Sequence, residues 1–161
     1  MLNLKDENYL KIIFLFSVIA LISAYFIEHI LGHQPCNLCL IERIPYGIGI
    51  ILILIIFMFK KDDKFLILLL ILTFTFSFII SFYHFGIEQG FFQESSVCGA
   101  KNFTENMSKD DLLKQLNQKI VSCKDVTFRI FGLSLTSINI VINVLFIITL
   151  IKIFIKYEKN K

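Results

Sequence analysis

The chain has 161 residues, a formal net charge of +3 and 56% hydrophobic residues, among them 18 phenylalanines. So large an apolar share excludes an ordinary water-soluble domain of this length and indicates that membrane lipid is the solvent of the fold. The small positive charge does not indicate nucleic-acid binding, because the sequence contains neither a Gly-rich phosphate loop nor a basic patch interleaved with aromatic residues.

Four apolar runs predict four membrane-spanning helices. A hydrocarbon core about 30 Å thick needs roughly 20 helical residues at 1.5 Å per residue. The first run exceeds a signal-peptide core and no small-x-small cleavage pattern closes it, so we expect it to be retained. The sequence therefore predicts an all-α membrane protein, a single four-helix bundle over residues 1–161. The runs span residues 9–27, 44–59, 65–82 and 133–151.

Lysines next to these runs predict the orientation of the chain in the membrane. Lysine and arginine in short flanking segments favour the cytoplasmic side of a span. The short segment between the first two runs, residues 28–43, has only Arg43 as a basic residue. We therefore expect both termini in the cytoplasm, and residues 28–43 and 83–132 on the opposite side. The flanking lysines are Lys5, Lys11, Lys60, Lys61, Lys64, Lys152, Lys156, Lys159 and Lys161.

The first outer segment contains a Cys-x-x-Cys pair, Cys36 and Cys39, followed by Arg43. Proline is best tolerated in the first turn of a helix, so Pro45 predicts that the second helix begins near residue 44, with the thiols just ahead of it. The partial positive charge of a helix N-terminus and the full charge of Arg43 both stabilise a thiolate. This arrangement favours a redox-active pair.

A metal site is the alternative interpretation of the same segment. His29 and His33 are four residues apart and, with the two cysteines, would form a His₂Cys₂ zinc set if the segment were helical. Pro35 disfavours a helical conformation of the residue before it and so interrupts the common face. A metal-binding or structural membrane protein therefore stays a second hypothesis.

A polar stripe on the third helix predicts a face directed into the bundle. Thr73, Ser77, Ser81 and His84 follow one another at helical spacing. Serine and threonine in such a stripe usually form hydrogen bonds between helices or to their own backbone. His84, at the outer end, is a candidate functional residue because an ionisable group at membrane depth is costly. An interfacial histidine is the alternative.

The second outer segment carries Cys98 and Cys123. A disulfide between them would close a long loop and stabilise the fold by roughly 3.5 kcal/mol in the chain-entropy description. A purely structural bridge is therefore one explanation of this pair. Residues 108–120 between the cysteines begin with a capping pattern at Ser108 and continue with apolar residues on one face, which predicts a short amphipathic helix. This helix would lie either on the membrane surface or against the aromatic residues of the same loop.

Two cysteine pairs on one side of a membrane suggest electron transfer from water to lipid. Thiol–disulfide exchange moves electron pairs through mixed disulfides. An acceptor in the bilayer must collect two electrons and bind between helices, and a quinone meets these requirements. Arg43 and His84 are candidates to hydrogen-bond a quinone oxygen and stabilise its developing negative charge.

Three segments share the pattern of one known family. They are Pro35-Cys36-x-Leu38-Cys39-x-x-Glu42-Arg43-x-Pro45-Tyr46, Tyr83-His84-x-Gly86-x-Glu88-x-Gly90, and Cys123 with Phe131-Gly132-Leu133-Ser134. In order and spacing they resemble the DsbB family of bacterial membrane proteins, which reoxidise the periplasmic dithiol oxidase DsbA. The match covers nearly the whole chain. One departure is the absence of tryptophan, since Phe128 stands where relatives often have tryptophan.

The resemblance implies a role for each cysteine. Cys98 would form the mixed disulfide with a DsbA-like partner, and Cys123 would be its disulfide partner. Electrons would then pass to Cys36 and Cys39, of which Cys39 would engage the quinone.

The resemblance also implies the cofactor site and the location. Arg43 and His84 would lie near the quinone, either ubiquinone or menaquinone, in the bacterial inner membrane, with the cysteines on the periplasmic side. A quinone reductase resembling vitamin K epoxide reductase is a rival within the same chemistry. It is less favoured because one cysteine pair precedes the second helix and the other follows the third.

Overall fold

The computed structural model describes residues 4–59, 63–94, 98, 122–124, 129–130 and 132–159. Within these residues the chain forms four long helices and one short pair of antiparallel strands. In chain order the elements are α1 (Leu4–His29), α2 (Asn37–Phe59), α3 (Asp63–Glu88), β1 (Arg129–Ile130), β2 (Leu133–Ser134) and α4 (Leu135–Lys159).

All four helices contain a segment that is long and apolar enough to cross a membrane, so the prediction of four such helices is confirmed. The predicted amphipathic helix at residues 108–120 and Phe128 lie outside the described residues. The cytoplasmic placement of both termini stays a prediction. The candidate spans are Asp6–His29, Asn37–Phe59, Lys64–Glu88 and Leu135–Lys156.

The helices form a bundle in which α3 packs against both α2 and α4, and α1 packs against α2. At its centre, the Phe74 ring makes edge-to-face contacts with Tyr46 and Phe146, at centroid distances of 6.0 and 5.1 Å. Gly49 permits the close approach of α2 and α3, since a Cβ atom there would lie 2.9 Å from the Phe74 ring. Apolar side chains such as Ile79 are exposed on the outside, as expected of a surface that faces lipid.

The second helix begins at Asn37 and not near residue 44, where the sequence predicted its start. Cys36 is the N-cap residue: its carbonyl accepts the first helical hydrogen bond, and its sulfur accepts the N–H of Cys39 at 3.2 Å. An acceptor for an otherwise unpaired N–H allows the helix to start here. Cys39 therefore lies in the first turn of α2, and Pro45 lies inside the helix.

The third helix continues past residue 82, the predicted end of the span, to Glu88. It ends in a Schellman turn, in which the carbonyl of Gly86 accepts a backbone hydrogen bond at 2.8 Å. Gly90 adopts a φ of 79°, a conformation that glycine takes without steric cost. These extra turns hold His84 on a helix instead of a loop.

The fourth helix begins at Leu135 and not at residue 133, because β2 precedes it and pairs with β1. The strands have two residues each, too few for an alternating pattern to be recognised in the sequence. Ser134 caps the helix by accepting the N–H of Ser137 at 3.2 Å. This cap fixes the start of α4 beside the end of α3.

Candidate active site

The two thiols of the Cys-x-x-Cys pair lie at the N-terminus of α2. The Sγ atoms of Cys36 and Cys39 are 2.6 Å apart, and both residues are free cysteines. The hydrogen bond with the Cys39 thiol, aided by the contact with His84 and opposed by burial, lowers the pKa of Cys36 from 9.0 to about 5. Cys36 is therefore favoured as a thiolate.

This pKa predicts the pH dependence of the Cys36 thiol. In the full chain carrying Cys98→Ser and Cys123→Ser, reduced in detergent, Cys36 should be protonated below about pH 5 and a thiolate above it. The thiolate ultraviolet absorbance, measured against the same protein with Cys36→Ser added, reports the midpoint. His84→Gln should move that midpoint upward, because it removes a contact that stabilises the thiolate. A midpoint near 9.0, the ordinary value, would contradict the assignment.

His84 links the thiol pair to a buried carboxylate. Its Nε2 lies 3.6 Å from Cys36 Sγ, and its Nδ1 lies 2.8 Å from Glu42 Oε1. Both His84 and Glu42 are buried, with exposed fractions of 2% and 9%. No role for Glu42 was predicted from the sequence, although an ionisable residue in an apolar run is a signal of function. His84 thus contacts the thiol that the sequence analysis expected Arg43 to stabilise.

Asn139 of α4 holds the second oxygen of Glu42. Its Nδ2 donates to Glu42 Oε2 at 2.9 Å and to Ser81 Oγ at 2.8 Å. Tyr46 Oη and Asn143 Nδ2 both donate to Asn139 Oδ1. Ser81 and Asn139 join α3 to α4 by a hydrogen bond, as the polar stripe on α3 predicted, whereas Asn143 bonds to Asn139 within α4. A buried carboxylate needs such partners, because an unpaired charge in this environment is costly.

Arg43 is held by residues of α1. Its guanidinium donates to Glu28 Oε2 at 2.5 Å and lies 5.0 Å above the centre of the Tyr25 ring. Both contacts fix the position of a long side chain that otherwise has many rotamers. Arg43 therefore presents a positioned cation one turn after Cys39.

The second cysteine pair forms a disulfide that is packed against the first pair. Cys98 and Cys123 are bonded, with Cα atoms 5.4 Å apart, and their exposed fractions are 0% and 2%. Both belong to the buried apolar cluster that contains Cys36, and Cys39 packs against that cluster. All four cysteines that the sequence singled out therefore meet at one end of the bundle.

One cavity of about 340 Å³ brings the predicted site residues together. Its wall includes Cys36, Cys39, Arg43, His84 and Cys123, and Cys98 reaches it through its disulfide partner. This volume and a wall with a few convergent polar groups are typical of small-molecule sites, which measure about 300–1,000 Å³. The apolar wall contributed by α1 consists of Phe16, Ile19, Ala20, Leu21, Ala24 and Ile27.

The described part of the chain also assembles one set of metal-ligand atoms. The thiols of Cys36 and Cys39 and the imidazole of His84 lie within 4.8 Å of one another. The zinc set that the sequence suggested is different, since His29 and His33 are not part of this group. His29 instead stacks on Tyr25, with ring centroids 6.1 Å apart.

These features define a helical membrane protein with two adjoining cysteine pairs beside an apolar cavity. The chain matches the family model of DsbB, disulfide bond formation protein DsbB, over residues 7–153. It is 32% identical over 147 residues to the uncharacterized protein RP370 of Rickettsia prowazekii (strain Madrid E), and the alignment covers 90% of this chain and 86% of that protein. The chain belongs to the DsbB family. Membership of this inner-membrane family indicates a membrane disulfide oxidoreductase.

Proposed function

We propose that the protein reoxidises a DsbA-like periplasmic dithiol protein and passes the electrons through its two cysteine pairs to a bilayer quinone. The observation that carries this proposal is the shared cavity, whose wall holds both thiols of the first pair, Cys123 of the second pair and the cation Arg43. In this proposal both termini face the cytoplasm and the cysteines face the periplasm. The disulfide then lies on the side of the soluble dithiol protein, whose binding must expose the buried Cys98, and a lipid-soluble acceptor can approach the cavity from the bilayer.

Electrons enter at the Cys98–Cys123 disulfide. A thiolate of the partner attacks Cys98, which forms a mixed disulfide and releases Cys123 as a thiolate. The second thiol of the partner then attacks the partner's own sulfur in the mixed disulfide. The partner leaves with a disulfide, and Cys98 and Cys123 remain as a dithiol that holds two electrons.

The second transfer moves this electron pair to the thiols of α2. When Cys36 and Cys39 form a disulfide, the Cys123 thiolate attacks Cys36 and releases Cys39 as a thiolate. Cys98 then attacks Cys123, which restores the loop disulfide and leaves Cys36 and Cys39 reduced. The burial of Cys36, Cys98 and Cys123 in one cluster supports this order, because the exchanging sulfurs belong to neighbouring residues.

The thiols of α2 deliver two electrons and two protons as their disulfide forms again. A quinone bound in the cavity would supply the two-electron acceptor and would take up both protons as it becomes the quinol. His84 Nε2, 3.6 Å from Cys36 Sγ, is placed to hold one proton, while Glu42 fixes the ring through Nδ1. Arg43 is placed on the cavity wall to stabilise negative charge on a quinone oxygen. The apolar wall from α1 fits the quinone ring.

The proposal is tested with the purified protein in detergent. Reduced DsbA-like protein and a ubiquinone analogue are added, and quinone absorbance is followed with time. We expect quinone to be reduced at the rate at which the partner is oxidised, with one quinone consumed per partner dithiol. Oxidation of the partner without quinone reduction, or no oxidation at all, would contradict the proposal.

Arg43→Ala should weaken the apparent affinity for quinone while the loop disulfide still forms. A hydrogen bond to a charged group is worth about 1.5–3 kcal/mol, so the KM for the quinone analogue should rise roughly tenfold to a hundredfold. Lys11→Ala, which removes an exposed cation paired with Glu7, is the matched control and should leave the KM unchanged. An unchanged KM in Arg43→Ala would remove this residue from the quinone site.

A further inference from the structure

The reduced thiol pair and His84 have the spacing of metal ligands. The distance from Cys36 Sγ to His84 Nε2 is 3.6 Å. In a tetrahedral zinc site, Zn–S bonds of about 2.3 Å and Zn–N bonds of about 2.0–2.1 Å place sulfur and nitrogen about 3.5 Å apart. The sulfurs of Cys36 and Cys39 are 2.6 Å apart and must separate to about 3.8 Å, so cation binding requires a rotation of one cysteine side chain.

The orientation of His84 is fixed in the manner of a metal ligand. Glu42 is placed to accept a hydrogen bond from Nδ1 at 2.8 Å, so Nε2 is the nitrogen that faces the thiols and can exchange a proton for a cation. A carboxylate behind a ligating histidine is the usual outer partner of such a site, because it sets the tautomer and the ring orientation. Asn139 Nδ2 in turn donates a hydrogen bond to Glu42 at 2.9 Å, so both residues behind the metal-facing nitrogen of His84 are held by hydrogen bonds.

The Glu88 carboxylate lies next to this group, though not among its three ligand atoms, and has an unsatisfied oxygen. Its Oε1 lies 3.8 Å from His84 Nε2 and accepts a hydrogen bond from Thr136 at 2.6 Å. Its Oε2 is buried and has no hydrogen-bond partner among the residues that the structure describes. Glu88 also lines the same cavity as both thiols. A buried polar atom without a partner calls for an explanation, and a cation beside the thiols supplies one.

We propose that Cys36, Cys39 and His84 bind one thiophilic divalent cation of the zinc type when the thiol pair is reduced, and that the Glu88 carboxylate moves toward the cation to complete the site. Binding releases to solvent any protons that the two thiols and His84 Nε2 carry, and it involves no electron transfer. The disulfide form lacks both thiolates, so the site exists in one redox state only. Metal binding itself does not depend on the quinone or the partner protein. Any effect of the metal on electron transfer rests on the proposed function, because the same sulfurs would carry the electrons.

Cobalt(II) is a suitable probe because its absorption reports ligand type and geometry. The full chain with Cys98→Ser and Cys123→Ser is reduced in detergent, so that Cys36 and Cys39 are its only thiols. We expect one cobalt per chain, a thiolate-to-cobalt charge-transfer band and the intense visible bands of a tetrahedral site, all displaced by zinc. The oxidised protein should show none of these bands. Equal binding to the oxidised protein would overturn the proposal.

Single substitutions separate this site from the alternative histidines. Cys36→Ser should remove most of the charge-transfer band, and His84→Gln and Glu88→Gln should each weaken cobalt binding at least tenfold. His29→Gln is the matched control and should bind as tightly as the parent. If His29→Gln weakens binding as much as His84→Gln, the proposed ligand set is wrong. Circular dichroism measures the helical content of each variant and identifies any that has not folded. If one of these ligand variants is unfolded, Cys39→Ser is measured in its place. Because no quinone is present, a negative result leaves the proposed electron transfer standing.

Discussion

Cys98→Ser is expected to abolish quinone reduction by the reduced partner protein, because the loop disulfide that the partner attacks can no longer form. Quinone reduction driven by a small dithiol such as dithiothreitol should persist, since Cys36 and Cys39 still line the cavity with Arg43. The same detergent assay measures both rates. The expected pattern is a fall to the uncatalysed background with the partner and a retained rate with the small reagent.

Cys36→Ser is expected to show the complementary pattern. Quinone reduction should fall to background with either reductant, while the Cys98–Cys123 disulfide should still react with the partner, and a partner that lacks its second cysteine should be trapped as a mixed disulfide on a gel. Thr149→Ala, at an exposed position on α4, controls for handling and should match the parent protein. Full activity in either cysteine variant with the partner would end the two-pair relay as an explanation.

Glu42→Ala is expected to destabilise the bundle by about 3–5 kcal/mol, the usual effect of removing one partner from a buried pair. The substitution leaves His84 Nδ1 without its carboxylate and removes one acceptor of Asn139 Nδ2. Glu42→Gln keeps an acceptor oxygen, so its free energy of unfolding should fall by less, about 1–3 kcal/mol. Thermal unfolding in detergent, followed by circular dichroism, gives the order of stability.

Glu28→Gln is the matched control for this comparison. Glu28 is also a carboxylate with a cationic partner, Arg43, but its side chain is more exposed, so its loss should change stability by no more than about 1 kcal/mol. If Glu42→Ala were as stable as Glu28→Gln, the buried network around His84 would not be a major support of the bundle. Equal stability of Glu42→Ala and Glu42→Gln would show that hydrogen bonding to this oxygen is unimportant.

The four helices were predictable because the thickness of the bilayer sets the length of an apolar helix. The polar face of α3 was predictable because buried polar residues recur at helical spacing. Ser77, Ser81 and His84 are buried as their spacing predicts. The start of α2 was not predictable from Pro45, because a cysteine sulfur acts as the capping acceptor several residues earlier. The contact between Cys36 and His84 joins residues of different helices, and no pattern within one helix specifies which faces will meet.

The capping role of Cys36 ties the reduction potential of the thiol pair to the stability of a helix. Its sulfur accepts the Cys39 N–H most strongly as a thiolate, which exists only in the reduced pair. A cap contributes about 0.5–2 kcal/mol. For a two-electron couple about 1.4 kcal/mol corresponds to 30 mV, so the cap raises the potential of this pair by roughly 10–40 mV. In the proposed relay, the first turn of α2 would therefore favour electron transfer from the loop cysteines to Cys36 and Cys39 and would make the onward step to the acceptor correspondingly less favourable.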